Sequence, residues 1–290
     1  MLYNKLLILL ASLLICFSCD TILEDDLGLK DYPDQTVVNA SLQAGGTAKV
    51  FVSTSTNILG SGALNSIENA TVTLLYKNNP VALRHYEKGI YGSDVNIEPM
   101  STYSLVVDIP GEASITGTTN TPNSFELSKA SGIDTLYISK SGEPISSFTL
   151  QWNDNALEEN FYELLLYQID STGQPVMLDL MSNNLSVSNN TGSDVFGNDA
   201  NTYMPKALLT DALFNGKSFT IQGQFIKAIK ESKVVLHIKS LTPEYYTYLF
   251  VQNRAVEGQD ELFTEPVTTP TNIEGAYGFM GGYYLIEKEI

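Results

Sequence analysis

The chain has 290 residues, 43% of them hydrophobic, and its 33 acidic against 16 basic side chains give a formal net charge of −17. That balance excludes a nucleic-acid binder, which needs lysine and arginine to neutralise phosphates, and excludes electrostatic adhesion to an anionic membrane surface. The acidic residues are scattered, as on an exported surface kept apart by its own charge.

Lys5 is the one charge ahead of an apolar run over residues 6–15. The run falls short of the about 20 residues that span a bilayer and has the proportions of a secretory signal. Ser18 places a small residue before Cys19, and the chain turns acidic at Asp20, Glu24, Asp25 and Asp26. Residues 1–18 therefore read as a lipoprotein signal peptide, with Cys19 lipidated as the first mature residue. Cys16 follows the branched Ile15 and is the poorer candidate. Lasting attachment needs more than one acyl chain. Loss of the signal removes Lys5 and Cys16, which leaves no free thiol for a disulfide, a thiolate nucleophile or a cysteine zinc site. The mature fold must then stand on its hydrophobic core.

Residues 19–35 are acidic and poor in apolar side chains, a tether that lifts the body off the membrane. Short strands follow, at residues 37–42, 49–53, 70–76, 81–86, 89–92, 103–108 and 113–119, each bounded by turn residues such as Asn78, Asn79 and Pro80. They predict an antiparallel sandwich over 36–121. A second sandwich-like domain is predicted over 122–290, with strands near 125–127, 135–139, 148–152, 161–169, 218–222 and 233–239. Trp152 shares a strand face with Phe148 and Leu150, a core position. Residues 153–160 form an acidic loop, and 182–201 a long polar one. Pro243 and Glu244 after Thr242 start a helix over 243–256. A Gly/aromatic tail closes the chain. The predicted class is mainly β: two antiparallel β-sandwich domains of transthyretin, immunoglobulin or fibronectin-III type, with one C-terminal helix.

Four segments carry a family resemblance: Asp211-Ala-Leu-Phe-Asn-Gly-Lys217, Leu241-Thr-Pro-Glu-Tyr-Tyr-Thr-Tyr248, Glu265-Pro-Val267 and Asn272-Ile-Glu-Gly-Ala-Tyr-Gly-Phe-Met-Gly-Gly-Tyr283. With Asn69-Ala-Thr-Val-Thr-Leu74, Gly89-Ile-Tyr91 and Tyr103-Ser-Leu105, this series resembles the Bacteroidetes lipoproteins classed as domain of unknown function 4249. The likeness covers nearly all of the mature chain; Met280 departs from the usual aliphatic or aromatic residue. It implies an outer-membrane lipoprotein, often encoded beside a TonB-dependent receptor, and supplies no catalytic residue. Glu24, Asp25 and Asp26 after Cys19 resemble the acidic export signals of surface lipoproteins, which favours the surface-exposed leaflet.

No catalytic constellation stands out. His85 and His237 lie in ordinary strands with neither an H-E-x-x-H array nor a G-x-S-x-G elbow, and Gly60-Ser-Gly62 lacks the lysine of a phosphate loop. Asp194, Asn198 and Asp199 offer the hard oxygens calcium takes but not the EF-hand spacing, so a solvated loop is expected and no metal or cofactor is assigned. The glycines and rings of the tail read as a final strand folded back on the sandwich, with a docking surface as the alternative. Tyr203, Tyr245, Tyr246, Tyr248, Tyr277 and Phe279 are the candidate partner contacts. The expected role is a non-enzymatic, lipid-anchored accessory protein beside a TonB-dependent receptor. The alternatives are a free-standing adhesin or carbohydrate- or protein-binding sandwich, and a hydrolase with paired carboxylates.

Overall fold

The computed structural model describes residues 34–55, 65–184, 186–187, 206–230, 232–257 and 269–290. Cys19, most of the tether, Tyr203 and the loop with Asp194, Asn198 and Asp199 lie outside the described residues. The first half holds β1 (Thr36–Ala44), β2 (Ala48–Thr54), β3 (Thr71–Tyr76), β4 (Asn79–Glu87), β5 (Ile90–Gly92), β6 (Thr102–Asp108) and β7 (Ile115–Asn120). Then come β8 (Leu127–Ile138), β9 (Pro144–Asn153), β10 (Phe161–Ile169), β11 (Pro175–Leu178), β12 (Leu180–Met181), β13 (Lys206–Thr210), β14 (Ser218–Ile226) and β15 (Val234–Leu241). Helix α1 (Pro243–Glu257), β16 (Ile273–Glu274) and β17 (Tyr277–Glu289) finish the chain. The fold is mainly β, as its alternating apolar segments predict.

Period-two alternation builds the first core: Val38, Ala40 and Leu42 of β1 face inward with Val50 and Val52 of β2 and Leu105 and Val107 of β6. Each fully buried valine or leucine among them contributes about 1.5–3 kcal/mol. The second core lies between two sheets. Phe148, Leu150 and Trp152 come from the sheet ordered β12-β14-β9-β8, and Leu164, Leu166, Leu236 and Ile238 from the facing strands β10 and β15. Trp152 is fully buried, with the rings of Tyr162, Phe219 and Phe214 at 5.1, 4.9 and 6.1 Å. All these strands belong to one compact unit, Gln35–Thr56 with Gly62–Ile290.

The tail has a larger part than its sequence suggests. Strand β17 runs parallel to β1, from Val37 beside Tyr277 to Ala44 beside Tyr284, and antiparallel to β15 from Leu241 beside Tyr283 to Val235 beside Glu289. Met280 of its first half, with Ile273 of β16, is buried in the first core, while Ile286 and the following Ile290 pack on the second. The sequence reading assigns all of 122–290 to the second half; the structure instead threads the C-terminus through both. Asn272 holds the entry, accepting the Met280 amide at 2.8 Å and donating to the Met280 carbonyl at 2.7 Å. Gly278 sits at φ +115 against the Val38 backbone, and Gly282 lies against Asn120 and Thr121.

Helix α1 packs on β17 and β10, and on Leu241 at the end of β15. Gly281 makes room for it: a Cβ there would lie 2.7 Å from that of Tyr245. Beneath the helix, Lys239 Nζ donates to Glu163 Oε2 at 2.6 Å, and the Glu163 side chain is 4% exposed. Lys206 lies in the field of both, and burial holds its ammonium below the ordinary lysine value. The same burial pushes the Tyr245 and Tyr283 phenols up.

Candidate functional site

The acidic loop after β9 is braced by two carboxylates. Asp154 accepts the Tyr162 hydroxyl at 2.8 Å and the Gly216 amide at 2.9 Å. Asp211, 3% exposed, accepts the Asn160 amide at 2.9 Å. Asn160 in turn donates its side-chain amide to the carbonyls of Asn155 and Glu158 at 3.0 and 2.9 Å. This explains the Asp211–Lys217 segment. Asp211 opens a 3-10 turn over Asp211–Leu213, Phe214 stacks on Phe219 at 3.7 Å, and Gly216, at φ +70, lies where a Cβ would meet Ala156 at 2.6 Å.

Loops 120–126, 153–160 and 240–243 surround an open cleft of about 750 Å³. Its wall carries Glu126, Asp154, Glu158 and Glu159, with the amides of Asn120, Asn123 and Asn155 between them. At the loop apex Leu157 is 93% exposed. The cleft therefore presents carboxylate acceptors, interspersed with amides that both donate and accept, and suits a partner bringing cationic or amide donors. Burial raises the Asp154 carboxyl, aided by the charges of Asp211 and Glu158, although the two hydrogen bonds oppose it. The folded state thus holds this proton more tightly than the unfolded chain. The charge costs nothing below the ordinary value of 3.8 and costs progressively more as pH rises through the elevated one. Asp154→Asn should therefore gain more over the wild type at pH 7 than at pH 4, read from urea midpoints. An equal difference at both pH values would overturn this. Asp154→Ala, which strands the Gly216 amide and the Tyr162 hydroxyl, should cost about 1–3 kcal/mol.

The other candidates divide. Tyr246 and Phe279 are buried, and Tyr245 and Tyr248 are half-buried between helix and sheet, with Tyr248 stacked on Phe279 at 3.8 Å and Tyr246 tilted against Phe161 at 4.7 Å. These four rings are packing residues, because Gly281 draws the helix down onto the sheet. Tyr277 is 58% exposed. His237 is bonded to Glu287 at 2.7 Å and to the Tyr167 hydroxyl at 3.1 Å, which makes it part of a surface network. Among the described residues no three of His, Cys, Asp and Glu group as metal ligands. Sequence reading missed the brace between residues 154 and 216 and the exposure of β8. The consecutive Leu136, Tyr137 and Ile138 signalled the latter, since a strand with one buried face alternates.

Similarity to solved structures is slight. A DUF4785 family protein from Legionella pneumophila is 12% identical over 70% of this chain, with a TM-score of 0.26, and this chain spans 50% of its length. Trypsin-activated alpha-2-macroglobulin from Escherichia coli is 12% identical over 72% of this chain and 14% of its own, with a TM-score of 0.20. A candidate carbohydrate-binding protein from Bacteroides uniformis is 9% identical over 89% of this chain and all of its own, with a TM-score of 0.21. No curated protein matches. The order of segments noted in the sequence extends to a match over residues 23–288, and the chain belongs to the family described as a domain of unknown function, DUF4249.

Proposed function

We propose that this protein is a non-enzymatic, lipid-anchored accessory protein of the outer membrane, on the surface-exposed leaflet, that works beside a TonB-dependent receptor. The observation that carries the binding role is the braced cleft. Its three loops stand on a rigid double-core scaffold, and binding residues concentrate on loops held in that way. The acidic wall would meet a donor-rich partner surface, which contributes to orientation and encounter rate. The signal-like N-terminus and Cys19 supply the tether, and a short tether keeps the body at high effective concentration near its partner. The kind of partner is taken from the family resemblance.

The test is purification of the tagged, lipidated protein from its own outer membrane in mild detergent, beside a Glu158→Lys/Glu159→Lys variant. Both glutamates are exposed, so the variant should fold. A stoichiometric receptor should accompany the wild type and fall about tenfold or more with the variant, equivalent to about 1.4 kcal/mol. Recovery of the wild-type chain alone would replace this reading with a free-standing binder.

A further inference from the structure

The outer face of the four-stranded sheet carries a second concavity, of about 440 Å³, with no charge on its walls. One side is Ile133, Leu136 and Tyr137 of β8, and the floor and far side include Ser147, Thr149, Asn183, Gln222 and Gln224. None of its twelve lining residues is charged, on a chain of net charge −17.

Two details make this a built surface. The Tyr137 hydroxyl donates to Gln224 Oε1 at 3.1 Å. Tyr137 stands on β8 and Gln224 on β14, with β9 between them. Adjacent strands lie about 4.8 Å apart, so the phenol reaches across β9 and its ring lies along the sheet, 47% exposed. The Gln224 amide nitrogen forms no hydrogen bond among the described residues. Secondly, the side chains of Ser147, Thr149, Asn183 and Gln222 form no hydrogen bond among the described residues. Hydroxyls and amides thus stand ready beside an aromatic platform and two aliphatic side chains.

We infer that this groove binds an uncharged saccharide. A sugar ring has an apolar C–H face, suited to the electron-rich face of Tyr137, and a rim of hydroxyls suited to the free amides and hydroxyls. The volume falls within the about 300–1,000 Å³ of ligand sites. Uronates and sulfated glycans meet the repulsion of an acidic protein with no compensating cation in the groove. Addition of a partner strand to the edge of β8, which no strand among the described residues pairs, is the other use of such a surface. The irregular register between Ile133 and Tyr137 breaks that edge, and such bulges blunt strand pairing. The inference goes beyond the accessory role, and each can fail without the other, because receptor recovery and saccharide affinity are separate readouts.

The experiment is calorimetric titration of the detergent-solubilised full chain with uncharged hexasaccharides (β-1,3-glucan, β-1,4-xylan, β-1,4-mannan and α-1,4-glucan). An oligogalacturonate and an extended apolar peptide serve as comparisons. At least one neutral saccharide should bind, with an affinity insensitive to salt. Tyr137→Ala should weaken it about tenfold or more, as loss of a stacking ring does, and Tyr137→Phe, which keeps the ring and loses the clamp on Gln224, should fall between. Tyr137 is exposed, so both variants should fold. Binding by none of the neutral saccharides, by the uronate or the peptide alone, or with no loss in Tyr137→Ala would overturn the inference.

Discussion

Replacing Gly278 by alanine should cost about 3 kcal/mol or more, enough to remove much of the stability of an ordinary domain. Two effects combine. The residue sits at φ +115, a conformation that costs other residues about 1–3 kcal/mol, and its Cβ would fall 2.0 Å from the Val38 carbonyl oxygen. That neighbour is backbone within the β1–β17 pairing, so it has no rotamer with which to retreat. Gly142 is the control: its φ is +87 but nothing lies within 4 Å, so Gly142→Ala carries the conformational cost alone. Urea unfolding followed by the fluorescence of the single tryptophan, Trp152, separates the two. Equal losses in both variants would show that the Val38 contact contributes nothing.

Glu163→Gln should destabilise by about 3 kcal/mol, the lower end of the cost of removing one partner from a buried ion pair. The substitution keeps shape and one acceptor but leaves the Lys239 ammonium, 17% exposed, without its counter-charge, and takes an opposing charge from Lys206. The pH dependence has a definite sign. A lysine whose folded value is depressed binds fewer protons folded than unfolded, so stability rises with pH between the depressed value and the ordinary 10.5. Loss of Glu163 depresses Lys206 further, and the rise should be steeper in the variant than in the wild type. Urea midpoints at pH 7 and pH 9.5 measure it; parallel curves would sink the argument. Glu163→Met with Lys239→Met should recover most of the loss, since apolar replacement of a buried pair is often neutral.

Much of the architecture was legible because alternation is a local signal. The strands β1, β2 and β6 and the Phe148, Leu150 and Trp152 face of β9 could be read directly, as could the start of α1 at Pro243. Thr242 reads as its cap; in the structure its hydroxyl accepts the Gly282 amide at 3.2 Å, a partner 40 residues away. The braces were harder. Asp154 and Asp211 look like two more acids in an acidic chain, and only the fold places them across one loop. The aromatic run at residues 245–248 looked like an exposed contact because its complement, the small side of Gly281, lies on another element. The exposure of β8 among the described residues had only the run Leu136, Tyr137 and Ile138 as its signal, because burial depends on which strands a sheet lacks. Pairwise geometry at long range carries the site, and a sequence records it only through residues such as Gly278 and Gly281 that nothing local requires.

The parallel pairing of β1 with β17 has a consequence for how the chain comes into being. Tyr283 bonds Gln43 across 240 residues, so the first strand of the body gains this neighbour only after all the other strands have been made. Contacts so distant form slowly. A ribosome that stops before β17 leaves β1 with an unpaired edge and Met280 missing from the first core. The fold in this way closes only on copies that carry both strands.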